Sequence, residues 1–135
     1  QRALRVGKRV HAQTGIDRAG ASLVSVALDR TEARSGALQG RRALVVGAGS
    51  MGALAASTLA RRGADVVVMS RTASSAARLA ASVDGRAADL ARLPEELAAA
   101  DVLLTCTGAN GLVVPTDVVA AALGSRPDRP LSVVD

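Results

Sequence analysis

The sequence predicts an α/β domain built on a doubly wound parallel sheet, and three observations predict it. Short apolar runs recur along the chain, as in Ala43-Leu44-Val45-Val46 and Asp65-Val66-Val67-Val68-Met69. Such runs suit strands buried on both faces, as parallel sheets demand. Between them lie Ala- and Leu-rich stretches at helical spacing, so strands and helices alternate five times. The first run leads straight into Gly47-Ala48-Gly49-Ser50-Met51-Gly52, a glycine spacing that turns a strand into a helix.

Residues 1–39 read as a helical linker. Leu4, Val6 and Val10 stand among Arg and Lys, and Thr14-Gly15 and Ala19-Gly20 are expected to interrupt the pattern. Ser22 then opens a second segment reaching about Arg34, with Leu23, Val26 and Ala27 on one face, and Ser35-Gly36 stops it. Residues 40–135 hold the sheet. The first strand covers 43–46, and a helix from Ser50 to Arg62 ends at Gly63. The second strand covers 65–69. A helix from Thr72 or Ala73 to Val83 follows, with Ala76, Leu79 and Val83 near one face. A short third strand lies near 85–88. Pro94-Glu95-Glu96 opens a helix where Pro and acids are favoured. A fourth strand at 101–105, a helix capped by Thr116 or Asp117 to about Leu123, and a strand at 130–134 complete the pattern. The expected strand order is 3-2-1-4-5. A sixth strand is absent, so the domain is expected to continue beyond this chain.

Composition narrows the function. Hydrophobic residues make up 49% of the 135 residues, a globular value, yet Phe, Tyr and Trp are missing. The core must be built from Leu, Val, Ala and Met. The net charge of +5 is uneven: residues 1–42 hold nine basic and three acidic side chains, a net +6. That basic arm fits either phosphate contacts to nucleic acid or a solvated surface meant for a neighbouring domain. The lack of aromatic side chains for base stacking favours the second. Cys106 is the sole cysteine, which excludes a disulfide and a cysteine metal cluster, so no metal site is expected. No apolar run approaches the length of a membrane span, and the first residues lack the apolar core of a signal peptide. The expected location is cytoplasmic. The start without Met is expected to mark an excised piece.

The glycine motif carries the chemistry. Gly47 permits the tight turn, Gly49 lets a pyrophosphate approach the backbone, and Gly52 lets the helix lie close to the strand. The helix beginning at Ser50 and Met51 offers N–H groups and a positive dipole end to phosphates. This strand–turn–helix context marks a Rossmann NAD(P)-binding fold. A carboxylate after the second strand would hold the ribose hydroxyls of NAD. Instead the strand ends Ser70-Arg71-Thr72. Arg71 suits stacking on adenine and pairing with a 2′-phosphate, with hydroxyls from Ser70 and Thr72, which points to NADPH. The plainer reading is a loop with an N-cap at Thr72. At the carboxyl end of the fourth strand, Thr105, Thr107 and Gly108 are expected near the nicotinamide half. Cys106 has no basic partner nearby in sequence and reads as packing, as His11 reads as a linker side chain.

Taken together these residues resemble the glutamyl-tRNA reductase family over nearly the whole chain. Residues 7–16, Gly-Lys-Arg-Val-His-Ala-Gln-Thr-Gly-Ile, are similar to the family's Gly-Lys-Arg-Val-Arg-(Ser/Thr)-Glu-Thr stretch. Val24-Ser25-Val26-Ala27 resembles the segment beyond it, and residues 45–52 resemble the family's phosphate loop. Ser70-Arg71-Thr72 followed by Ala77-Arg78-Leu79-Ala80 is similar to Asn-Arg-Thr…Ala-x-x-Leu-Ala, and residues 131–135 resemble the strand leading to Asp-x-Ala-x-Pro-Arg. The departures are His11 and Gln13 for Arg and Glu, and Ser70 for Asn.

The resemblance implies NADPH-dependent reduction of glutamyl-tRNA to glutamate 1-semialdehyde, the entry to tetrapyrrole (porphyrin) synthesis. It implies that the family's nucleophilic cysteine, in Thr-Cys-Asn-Arg, lies in an N-terminal catalytic domain outside this chain. There it would take the glutamyl group as a thioester. The resemblance also implies a C-terminal dimerisation domain and a homodimer at full length. No catalytic residue is then expected here, and the chain alone is expected to be inactive. The alternatives are the NADP-binding domain of a shikimate dehydrogenase-like oxidoreductase, or an NADPH-sensing module.

Overall fold

The computed structural model describes residues 6–106, 114–127 and 130–134, with side chains from residue 20 onward. Helix α1 (Val6–Ser35) leads into strand β1 (Arg42–Val46). Helix α2 (Ser50–Arg61), β2 (Asp65–Met69), α3 (Ala73–Ser82) and β3 (Arg86–Ala87) follow. A 3-10 turn (Leu90–Arg92) runs into α4 (Leu93–Ala99), and β4 (Val102–Thr105), α5 (Thr116–Gly124) and β5 (Ser132–Val134) complete the order. The five strands form one parallel sheet in the order β3-β2-β1-β4-β5, as the alternating pattern requires.

Side chains alternate across each strand and feed two cores. Ala43, Val45, Val66, Val68, Val102 and Leu104 pack beneath α1, α2 and α3. Leu44, Val46, Val67, Met69 and Leu103 pack beneath α4 and α5, against Leu97 and Ala122. The continuous apolar runs are therefore explained by burial on both faces.

Helix α1 corrects the expected break. It runs unbroken through Gly15 and Gly20 for 30 residues. Gly20 is buried against α2, where an added Cβ would lie 3.0 Å from both Leu54 Cδ1 and Met51 Sδ, so the glycine marks a close approach. The expected face is corrected too. Val24, Leu28 and Thr31 are buried at helical spacing, whereas Leu23 and Val26 are 67% and 50% exposed. Both faces carry apolar residues, so periodicity did not separate them.

At its far end α1 is clamped to α2. The Arg62 guanidinium meets Asp29 at 2.9 Å and Glu32 at 2.6 Å, and it donates to the Ser25 carbonyl. Glu32 also accepts from Leu38 N–H at 3.0 Å. That backbone bond and Arg62 hold the Glu32 carboxyl below its ordinary range. Helix α4 opens as expected, with Pro94 in its first positions and Glu95 and Glu96 in its first turn. Asp89 caps the 3-10 turn before it by accepting from Ala91 N–H at 2.9 Å. The start of α5 differs from expectation. Pro115, which has no capping side chain, precedes α5.

Candidate functional site

The carboxyl edge of the sheet gathers three turns. Val46 lies in register with Met69 on one side and Thr105 on the other. The strand order reverses between β1 and β4, and a crevice opens at such a switch point. Hydrogen bonds carry the sheet one residue further: Gly47 N–H donates to Met69 O at 2.8 Å, and Cys106 N–H donates to Val46 O at 2.9 Å.

The three glycines of the loop have different physical reasons. Gly47 has φ +114°, and a Cβ there would overlap the Cys106 carbonyl oxygen. Gly52 is buried, and a Cβ there would overlap the Gly47 carbonyl oxygen. Both glycines are required by the protein's own packing, one by the turn and one by the helix–strand approach. Gly49 is required by neither. It has φ −80° and ψ −163°, and a Cβ would meet nothing within 4 Å. The open space in front of Gly49 is the cradle that a side chain would fill.

That space lies at the start of α2, where Gly49 is the N-cap and offers no capping side chain. No acidic residue occupies the first turn. The leading N–H groups of a helix have no intrahelical acceptor, and their dipole favours an anion. Ser50 and Met51 are exposed at this end, while Ala48 packs on the core below. The donor set fits a pyrophosphate.

The turn after β2 leaves the same edge. Ser70 Oγ accepts from Thr72 N–H at 3.2 Å, which shapes the turn. Thr72 is the N-cap of α3, but its side chain makes no capping hydrogen bond. Arg71 and Thr72 are both exposed. Thr105 is half-buried at the end of β4. Cys106 is half-buried, packed on the first core and wedged behind Gly47, in keeping with a packing residue. Thr107 and Gly108 lie outside the described residues.

Sequence reasoning missed two side-chain anchorages of α4. Arg126 is buried and donates to Leu97 O at 2.8 Å, Ala98 O at 3.2 Å, Ala100 O and Pro130 O at 3.0 Å. It thereby closes the C-terminal end of α4. Arg86 forms a two-pronged pair with buried Glu96 at 3.0 and 2.9 Å, tying β3 to α4. The Arg86 bond holds the Glu96 carboxyl below its ordinary range. Neither pairing has a sequence signal, because the partners are set by adjacency in the fold. Among the described residues no helix is long and apolar enough to cross a membrane.

Comparison with known proteins adds three findings. Residues 29–135 match the family described as shikimate / quinate 5-dehydrogenase. Over its entire length the chain is 58% identical to the glutamyl-tRNA reductase of Kineococcus radiotolerans and 57% identical to glutamyl-tRNA reductase 1 of a Nocardioides species. It covers 30% and 31% of those proteins, so it spans about a third of the curated relatives it matches. Among solved structures it is similar to the glutamyl-tRNA reductase of Methanopyrus kandleri, with a TM-score of 0.69 and 34% identity over 82% of this chain and 28% of that one.

Proposed function

The chain belongs to the shikimate / quinate 5-dehydrogenase family, and from that premise we propose that it is the NADPH-binding domain of a glutamyl-tRNA reductase. One observation carries the choice within the family. The likeness to glutamyl-tRNA reductases runs through the whole chain, including residues 1–28, which lie outside the family match. A shikimate dehydrogenase-like enzyme is expected to share sequence with the nucleotide half and not with that stretch.

A nicotinamide cofactor follows from the dehydrogenase family and fold; NADPH over NADH is the finer proposal. The N–H groups at Ser50, Met51 and Gly52 would hold the pyrophosphate, with Gly47 and Ala48 shaping the turn and Gly49 leaving the space. Arg71, helped by Ser70 and Thr72, would take the 2′-phosphate, and Thr105, Thr107 and Gly108 would orient the nicotinamide half. NADPH, when bound, supplies the hydride that reduces the glutamyl group. This chain's residues bind and aim the donor, and a separate catalytic domain holds the acyl group. Glutamyl-tRNA, a homodimer and a cytoplasmic location belong to the proposed whole protein.

Two measurements test this reading. NADPH fluorescence can be titrated against the chain without background, since there is no Trp or Tyr to emit. Binding is expected, and absence of binding at millimolar cofactor overturns the reading. A chimera carrying this chain in place of the matching third of the Kineococcus enzyme is expected to form glutamate 1-semialdehyde from glutamyl-tRNA and NADPH. A folded chimera that binds NADPH but forms none would assign the chain to another dehydrogenase.

A further inference from the structure

Glycine is the poorest helix former after proline, yet Gly20 stands inside a continuous helix. It is buried where α1 crosses the first turns of α2, with Met51 Sδ and Leu54 Cδ1 each 3.0 Å from the place its Cβ would take. Met51 is the second residue of α2, so its backbone N–H belongs to the donor group at the phosphate loop. Its side chain turns back along the helix, as helical side chains do, and ends against α1. The same residue is still 40% exposed.

The rest of the α1–α2 contact is firmly held. The two helices run in the same direction: Gly20 meets Met51 and Leu54 at the start of α2, and Asp29 and Glu32 meet Arg62 at its end. With Arg62 pinned, extra volume at Gly20 has one soft outlet, the flexible Met51 and Leu54 side chains and the turn that carries them. We infer that Gly20 is a positioning residue for the dinucleotide, setting the place of the first turn of α2 and hence of the N–H groups that take the pyrophosphate. The inference rests on the proposed dinucleotide site and adds to it a contact from α1. The pyrophosphate is common to NADPH and NADH, so the effect of Gly20 falls on both alike. That separates it from Arg71, which acts on the difference between them.

The test is a double-mutant cycle in the full chain, reading NADPH and NADH dissociation constants and melting temperature. Gly20→Val is expected to weaken both cofactors by about tenfold, an ordinary overpacking effect, with their ratio unchanged. In a Met51→Ala background, where the thioether no longer fills the notch, the Gly20→Val loss is expected to shrink to about twofold or less. Gly20→Ala is expected to give a smaller, equally unselective loss, and it decides the matter if the valine variant does not fold. Wild-type affinity in folded Gly20 variants overturns the inference, as does an altered NADPH-to-NADH ratio or an undiminished loss in the Met51→Ala background. Failure of the wild-type chain to bind either dinucleotide removes the proposed function and this inference together; normal wild-type binding with insensitive Gly20 variants removes the inference alone.

Discussion

Replacing the three loop glycines one at a time separates what the fold needs from what the ligand needs. At Gly52 an alanine methyl would overlap the Gly47 carbonyl oxygen, a backbone atom that cannot move aside cheaply. At Gly47 it would overlap the Cys106 carbonyl, and φ +114° adds backbone strain. Each substitution is expected to cost about 3 kcal/mol, the upper part of the overpacking range. For a chain of this size that lowers Tm by roughly 12 °C. Gly49 has an ordinary φ and nothing within 4 Å of the added atom. Substitution there changes the helix cap slightly and reduces unfolded-state entropy, two opposing terms of under about 1 kcal/mol. Gly49→Val should therefore shift Tm by no more than ~2 °C. The same valine stands where a pyrophosphate must meet the backbone, so dinucleotide affinity is expected to fall at least about 100-fold. Thermal melts and NADPH titrations of Gly47→Ala, Gly49→Val and Gly52→Ala provide the comparison. A stable Gly49→Val variant that binds normally would refute the assignment of the open space to a ligand. A Gly52→Ala variant as stable as wild type would refute the packing argument.

Arg71→Ala is expected to weaken NADPH about tenfold while leaving NADH nearly unchanged, with added salt narrowing the wild-type preference; equal losses for both cofactors would return this strand end to a plain loop. Arg126→Ala leaves the carbonyl end of α4 without its donor and is expected to cost about 3 kcal/mol, read by denaturant melts at neutral pH. The Arg86–Glu96 pair gives a pH dependence. Glu96 has its folded value below the ordinary 4.5, so its contribution is complete above that pH and is lost as the pH falls through the lowered value. Stability between pH 7 and pH 3 should fall less steeply in Glu96→Gln than in wild type. Arg86→Ala should cost about 2 kcal/mol at pH 7, less than a fully buried pair because the Arg86 side chain is 49% exposed.

The sheet and the phosphate loop were legible because their signals are local. A strand buried on both faces must be apolar along its buried length, and residues 43–46 of β1, 66–69 of β2 and 102–104 of β4 are. A turn with φ +114° asks for glycine, and Gly47 stands there. Alternation of strands and helices then restricts a parallel sheet to few orders, and the observed one is the order expected. Helix α1 was misread at two points because the deciding fact lies on another element. Gly20 weakens a helix in isolation, but it lies where the Met51 and Leu54 side chains of α2 press closely on α1. Leu23 and Val24 are equally apolar, and only the position of the sheet decides that Val24 is buried and Leu23 is not.

The sequence alone thus determined the strand order, the place where the chain turns from β1 into α2, and the residue types offered to a phosphate. Each depends on periodicity and backbone preference within a few neighbouring positions. The tertiary structure decided which glycines serve packing and which one faces open space, and it joined Arg62 to Asp29 and Glu32, Arg86 to Glu96, and Arg126 to the end of α4. Those facts depend on distances between segments far apart in the chain. An arginine reads the same in sequence whether it faces water or a row of buried carbonyls, and only the packed neighbours fix which it meets.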